Sequence, residues 1–260
     1  MLGAIIGDIV GSRFEFSEPP QKGFELFTDE CDYTDDTICT IAVADAILNG
    51  KSYRDALLEW CRRYPNPKGS YGGKFYKWIF SADPQPYGSL GNGAAMRVSA
   101  VAWLFDDYND VKEQARLSAM PSHNHPEGIK GAQATAAAIF LARQGKAKHE
   151  IRKYVTKTFD YDLSRTLEEI RPTFFFDETC QRTVPEAITC FLEGKGYEDV
   201  VRLAVSLAGD ADTLAAIAGP IASATQDVST EVSQKVFSLL SDEFCTTLLR
   251  FNELVAKREQ

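Results

Sequence analysis

The chain has 260 residues, 44% hydrophobic and 25% charged, which is the composition of a globular protein long enough to bury a large core. A net charge of −9 disfavours nucleic-acid backbones and anionic membranes, and six scattered cysteines without C-x-x-C spacing point to reduced thiols and a cytoplasmic setting. No linker, repeat, low-complexity segment or membrane-length apolar run divides the chain, so one domain over 1–260 is expected.

Met1 to Phe16 reads as a helix carrying Leu2, Ile5, Ile6, Ile9 and Val10. Gly3, Gly7 and Gly11 recur every four residues and leave a smooth strip for a second helix. Glu15 falls at or just past the end of this helix, where a lone Glu is ordinarily a solvated charge. Pro19 to Asp32 reads as a loop long enough to lie over a site. Tyr33-Thr34-Asp35-Asp36-Thr37 then opens a helix with apolar Ile38, Ile41, Ala42 and Leu48, closed by Gly50.

Ser52, with Asp55 three residues on, starts the next helix, which stops before Pro65. Lys74 to Phe80 reads as a short aromatic helix. Gly88-Ser89-Leu90-Gly91-Asn92-Gly93 is a turn whose amides are free to cradle a phosphate. It lacks the preceding strand of a dinucleotide fingerprint, and a plain tight turn is the alternative. Ala94 to Phe105 reads as an apolar helix.

Ser122-His123-Asn124-His125 opens a small-residue helix, Glu127 to Arg143, ended by Gly145. Two His at i and i+2 cannot share a helix face, which disfavours a zinc pair. A His at a helix mouth is placed either to cap or to meet a ligand. Helical periodicity continues through Lys148 to Phe159, Leu163 to Ile170, Val184 to Leu192 and Glu198 to Leu207. Phe174-Phe175-Phe176 reads as a short strand or a packed loop. Ala208-Gly209-Asp210-Ala211-Asp212-Thr213 leads into an apolar helix, Leu214 to Ala224. Thr230 to Leu240 and Asp242 to Lys257 finish the chain. Strand-like alternation is nearly absent, so the expected fold is all-α, with Ala132–Ala142 and Leu214–Ala224 at its centre.

Asp and Thr are preferred helix caps, and capping alone explains one such pair. Two clusters with paired carboxylates exceed what capping needs. Brought together, Asp35, Asp36, Asp210 and Asp212 would repel one another without a divalent cation. Hard oxygens at that density suit Mg²⁺, Mn²⁺ or Ca²⁺.

Five motifs, in order and nearly end to end, make the chain resemble the ADP-ribosylglycohydrolases. They are Gly3-Ala4-Ile5-Ile6-Gly7-Asp8 with Gly11-Ser12; Tyr33-Thr34-Asp35-Asp36-Thr37; Gly91-Asn92-Gly93-Ala94-Ala95-Met96-Arg97; Ser122-His123 with Gly131-Ala132; and Gly209-Asp210-Ala211-Asp212-Thr213. The resemblance implies a compact helical fold with a cleft for two Mg²⁺ ions, Mn²⁺ being a substitute. It implies Thr34, Asp35, Asp36, Asp210, Asp212 and Thr213 as metal ligands. It implies Gly88, Ser89, Gly91, Asn92, Gly93 and His123 as substrate-binding residues. Glu15 matches a catalytic Glu of the members that cleave serine-linked ADP-ribose, and Asp35, Asp36 and Asp212 join it in the catalytic set. Leu90 and Ala211 depart from the Tyr and the Thr or Ser that relatives often carry, and Leu90 cannot supply the stacking or hydroxyl of a Tyr.

The function so implied is removal of ADP-ribose from modified protein side chains, serine linkages favoured. Arginine-linked ADP-ribose, O-acetyl-ADP-ribose and a silent ADP-ribose-binding role are the alternatives. The expected partners are an ADP-ribosylated protein or a small ADP-ribose compound, with no membrane, and nucleic acid only as a modified substrate. A phosphohydrolase reading of Asp210-Ala211-Asp212-Thr213 is disfavoured, because the motif precedes a helix late in the chain and its Thr comes one position early.

Overall fold

The computed structural model describes residues 1–21 and 23–258, so Lys22 in the expected loop and the last two residues of the expected domain lie outside it. The helices are α1 Leu2–Gly11, α2 Asp35–Asn49, α3 Tyr53–Arg63, α4 Gly73–Ile79, α5 Gly93–Met96, α6 Val101–Leu104, α7 Tyr108–Ala119 and α8 Pro126–Arg143. They continue with α9 Lys148–Phe159, α10 Leu167–Ile170, α11 Cys180–Glu193, α12 Tyr197–Val205, α13 Ala211–Ser223, α14 Thr230–Leu239 and α15 Asp242–Arg258. The described residues contain no strand, only isolated bridges between Thr34 and Lys68 and between Gly91 and Thr179. The fold is all-α.

The centre is a pair of small-residue helices. α1 is buried from Gly3 to Gly11, and α13 from Ala211 to Ala222. They run antiparallel at very close range. A Cβ on Gly3 would lie 2.8 Å from the Gly219 carbonyl oxygen. One on Gly7 would collide with the backbone of Ala215, and one on Gly11 with the Cα of Asp212. The four-residue glycine spacing is therefore a backbone-contact seam, matched by small residues at four-residue spacing on α13. Because the pair is antiparallel, the end of α1 meets the start of α13. α8, nearly polyalanine along its buried face, packs against α7, α11 and α13. One continuous apolar cluster runs from Met1 to Phe251.

Local chemistry sets the helix ends. Thr34 caps α2 by accepting the Asp36 amide, and Gly50 closes it with φ +64°. Ser52 caps α3 through the Asp55 amide. His125, not His123, is the cap of α8, accepting the Glu127 amide on Nδ1.

Several boundaries differ from the sequence reading. The first helix stops at Gly11, and Ser12–Phe16 form turns, with Ser12 Oγ donating to the Ile9 carbonyl and accepting the Asp32 amide. The span Ala94–Phe105 breaks into α5, a 3₁₀ turn at Val98–Ala100 and α6. The break falls at Arg97, whose backbone (φ −90°, ψ −4°) leaves helical geometry while its guanidinium turns inward to Ser118 and Ser122. Leu163–Ile170 shortens to Leu167–Ile170. Asp162 holds Ser164 in a turn, and Thr166 with Glu169 forms a capping box, so the polar residues compete with the helix for the backbone. α7 was not anticipated. Asp107 caps it by accepting the amides of Asn109 and Asp110, and Val111, Ala115 and Ala119 form its buried face. Phe174–Phe176 are irregular backbone, not a strand.

Candidate active site

Two helix starts and one helix end converge on a cleft of about 590 Å³. Its floor carries Asp35 and Asp36 from the first turn of α2, and Asp210, Asp212 and Thr213 from the start of α13. Glu15, four residues past α1, closes over them. One oxygen each of Glu15, Asp210 and Asp212 fall within 4.8 Å of one another. Ala208 and Gly209, both left-handed at φ +66° and +67°, turn the chain so that Asp210 enters the cleft. A non-glycine residue in that conformation is strained backbone held by its surroundings.

Asp8 explains how α2 is aimed. It is fully buried on α1 and accepts four hydrogen bonds: the Thr34 and Thr37 amides at 3.0 Å each, the Thr34 hydroxyl at 2.7 Å and the Thr37 hydroxyl. One carboxylate thus satisfies two backbone donors of the α2 N-terminus, and Thr34 takes a third, the Asp36 amide. Burial nevertheless raises its pKa from 3.8 to about 6. In the sequence, Asp8 closes the first family motif and is a charge within an apolar run, without a role of its own. Its lone position on an otherwise apolar helix was the available signal. Thr34 is spent in the same contact. Its hydroxyl points to Asp8, it is fully buried, and it does not line the cleft.

The electrostatics are those of crowded acid. Burial, then Asp210, Asp8 and Glu178, push Glu15 up to about 7 against the pull of Lys68. Burial, then Asp212 and Asp8, hold Asp36 well above the carboxylate range. Burial, then Asp210 and Glu15, do the same to Asp212. Burial raises Asp35 and Asp210 too. Among the described residues none of these carboxylates makes an ion pair. Asp36 Oδ1 and Asp212 Oδ1 are buried with no hydrogen-bond partner, while Asp36 Oδ2 accepts the Thr213 hydroxyl at 3.2 Å. Unpaired buried oxygens are costly. Together with the all-oxygen donor set, they fit a hard divalent cation.

The turn Gly88–Gly93 forms the facing wall. It is pinned at both ends. The Gly88 amide donates to Asn124 Oδ1 at 2.7 Å, the Asn92 amide to the Glu178 carbonyl at 2.7 Å, and the Cys180 amide to the Leu90 carbonyl at 3.0 Å. Asn92 Nδ2 donates to Asp210 and to Thr183, joining the turn to the acidic floor. The helix that follows has only four residues. Against the expectation of free cradling amides, those of Gly88, Ser89, Gly91 and Asn92 already donate to Asn124, the Ser122 carbonyl, Ser89 Oγ and the Glu178 carbonyl. The wall therefore offers a ligand its side chains and the space beside its glycines. Cβ atoms are excluded where the turn is tightest: one on Gly93 would sit 2.9 Å from His123 Nε2. His123 is buried, and Ser122 and Arg97 stand behind it.

The candidate residues therefore fall together, apart from Thr34, which sits behind the cleft. Four contributors were not assigned roles from the sequence: Asp8, Arg97, Ser122 and Glu178 at the mouth. Asp8, Arg97 and Ser122 lay inside motifs already marked. Glu178 carried no local signal.

The profile of the ADP-ribosylglycohydrolase family matches residues 1–258. The chain belongs to that family. Among its curated relatives, human ADP-ribosylhydrolase ARH3 is 26% identical over 303 residues, covering 86% of this chain and 83% of that protein. ADP-ribosylarginine hydrolase Tri1 of Pseudomonas putida (strain GB-1) is 26% identical over 273 residues, covering 88% and 70%. A solved ADP-ribosylglycohydrolase-related protein complex shares the fold, with a TM-score of 0.67 at 22% identity over 98% of this chain and 94% of that one. Membership makes this chain an ADP-ribosylglycohydrolase-type hydrolase, and the acidic cleft is the site where the family motifs meet. No helix is long and apolar enough to cross a membrane among the described residues.

Proposed function

We propose that this family member is a Mg²⁺-dependent hydrolase that removes ADP-ribose from modified protein side chains, with serine linkages preferred. The observation that carries the reading is the meeting of Glu15 with Asp210 and Asp212, oxygens within 4.8 Å, in one cleft with the Gly88–Gly93 turn.

Asp35, Asp36, Asp210, Asp212 and Thr213 are the residues that would hold two ions. Thr34, which donates its hydroxyl proton to Asp8 and accepts the Asp36 amide, would join them only through its remaining lone pair and from behind the cleft. Mg²⁺, or Mn²⁺ in its stead, would supply positive charge to orient and polarise ribose oxygens there. Gly88, Ser89, Gly91, Asn92, Gly93 and His123 would bind the diphosphate and ribose through the Ser89 hydroxyl, the His123 ring N–H and the close backbone approach that the glycines leave open. That binding fixes the anomeric carbon near Glu15. Glu15, which burial and the acidic surroundings push up to about 7 in the absence of a cation, is placed beside the acidic floor to take a proton from the attacking water as the glycosidic bond breaks. Asn92 donates to Asp210, which ties the binding wall to the acidic floor.

Arginine-linked ADP-ribose is the second reading. The resemblance to Tri1 favours it, as does Glu178 at the mouth, which adds acid where a guanidinium would leave. The intact acidic set argues against a silent binding relative. The six unpaired cysteines suit a reducing compartment, and cytoplasmic placement is part of the proposal.

The test is release of free ADP-ribose from defined serine-linked and arginine-linked peptides, O-acetyl-ADP-ribose and ADP-ribosylated nucleic acid, with Mg²⁺, Mn²⁺ or EDTA. Fastest turnover of the serine peptide, abolished by EDTA and restored by Mg²⁺, is expected. Preference for the arginine peptide overturns the linkage, and turnover in EDTA overturns the metal requirement.

A further inference from the structure

Behind the binding wall lies a hydrogen-bond chain whose direction is set by chemistry. Arg97 is fully buried and has no carboxylate partner among the described residues. Its Nη2 donates to the Ser118 carbonyl at 2.9 Å and to Ser122 Oγ at 3.1 Å. Ser122 Oγ lies 2.8 Å from His123 Nδ1, and Ser122 is itself fully buried.

A guanidinium only donates. Ser122 Oγ therefore accepts from Arg97 and has its own proton left to place. Among the described residues its one remaining partner is His123 Nδ1. Were Nδ1 to carry a proton and donate to Ser122, the buried hydroxyl proton would have no acceptor, an arrangement folded proteins avoid. The proton of the neutral ring must then sit on Nε2. Burial and the nearby Arg97 charge, which lower the His123 pKa well below its usual value, agree with a neutral ring.

Nε2 meets no protein acceptor among the described residues. It faces Gly91 and Gly93, where Cβ atoms would lie 3.6 and 2.9 Å away. The two glycines leave that donor uncovered toward the cleft, beside Ser89.

We propose that Arg97 and Ser122 are positioning residues that hold His123 as the neutral Nε2–H tautomer, so that it donates to an oxygen of the bound diphosphate-ribose. The tautomer follows from the free protein alone. Its role toward ligand rests on the function proposed above.

The experiment uses ¹⁵N-histidine-labelled full-length protein, whose three histidines are separated by comparison with His123→Gln. At neutral pH the wild-type ring nitrogens of His123 are expected to report a protonated Nε2 and a bare Nδ1. In Ser122→Ala the tautomers mix, and calorimetric ADP-ribose affinity falls on the order of ten-fold. Ser122→Thr, which keeps the hydroxyl, restores both. Arg97→Lys, which keeps a donor, retains the tautomer. A wild-type ring protonated on Nδ1, or charged, overturns the proposal without any variant having to fold. So does a Ser122→Ala protein with tautomer and affinity unchanged. Failure of the wild type to bind ADP-ribose would sink the functional reading and leave the tautomer result to stand or fall by its own spectrum.

Discussion

At the scale of the residue, Glu15 and Asp212 separate chemistry from packing. Glu15→Gln keeps size and shape but cannot accept a proton. It is expected to retain ADP-ribose binding and fold while losing about 10²–10⁴-fold in hydrolysis, the range of a general base. Full turnover of the variant on its best substrate removes Glu15 from that role. Asp212 sits between Asp210, Asp36 and Glu15, with one oxygen unpaired. Asp212→Ala is expected to abolish activity and weaken Mg²⁺ binding in titration calorimetry. A helix-capping role alone would cost about 1 kcal/mol of stability and nothing else. The expected melting behaviour is the reverse: without cation the variant is at least as stable as wild type, because a repelling buried charge has gone. Near wild-type turnover at saturating Mg²⁺ refutes the assignment.

At the scale of the element, the α1–α13 seam is what brings these residues into one cleft. Each helix buries almost its whole length, so neither can shift sideways to admit a methyl group. Gly7→Ala would press a Cβ into the Ala215 backbone, and overpacking against backbone has no flexible partner to yield. A loss of about 3 kcal/mol in denaturant unfolding is expected, with reduced Mg²⁺ affinity because the start of α13 is displaced. Gly73→Ala, at the start of α4 with nothing within 4 Å of the added Cβ, is the control and should change stability by less than about 0.5 kcal/mol. Equal stability of the two variants contradicts the seam. The glycine strip was legible in the sequence because spacing of four keeps residues on one helix face. Its partner was not. Nothing local in Ala211–Gly219 says which helix it faces.

At the scale of the whole molecule, the acidic cluster makes stability depend on pH and cation together. Asp8 rises from 3.8 to about 6 and Glu15 from 4.5 to about 7, with Asp35, Asp36, Asp210 and Asp212 raised as well. Raised carboxylate pKa values mean that the folded protein holds protons the unfolded chain releases. Their contribution is full below about pH 4 and is lost as pH climbs through 6 to 7. His123, pushed down by burial, acts oppositely near neutral pH, so the comparison with and without cation isolates the cluster. In EDTA the melting temperature is expected to fall between pH 5 and pH 8 by more than in Mg²⁺. The Mg²⁺ stabilisation should grow over that interval as protons cease to compete, reaching about 4 kcal/mol at a thousand-fold excess over Kd. A Mg²⁺ effect independent of pH would show that the ion binds elsewhere.

The sequence by itself determined the helical class, most helix starts and the chemistry available. Period 3.6 in the apolar residues, caps such as Ser52 and Thr34 and the stop at Gly50 are local properties that a short segment carries. The motif residues also supplied an all-oxygen donor set, from which the proposed metal site is built. Only the tertiary structure decided that Glu15 meets Asp210 and Asp212, because that depends on α1 and α13 packing antiparallel. Only it decided that Thr34 is held by Asp8 behind the cleft, and that Arg97 leaves its helix to reach Ser122. Burial and unpaired oxygens are properties of the assembled surroundings. A carboxylate's pKa and a ring nitrogen's proton are set by what lies a few ångströms away in space, which chain order does not state.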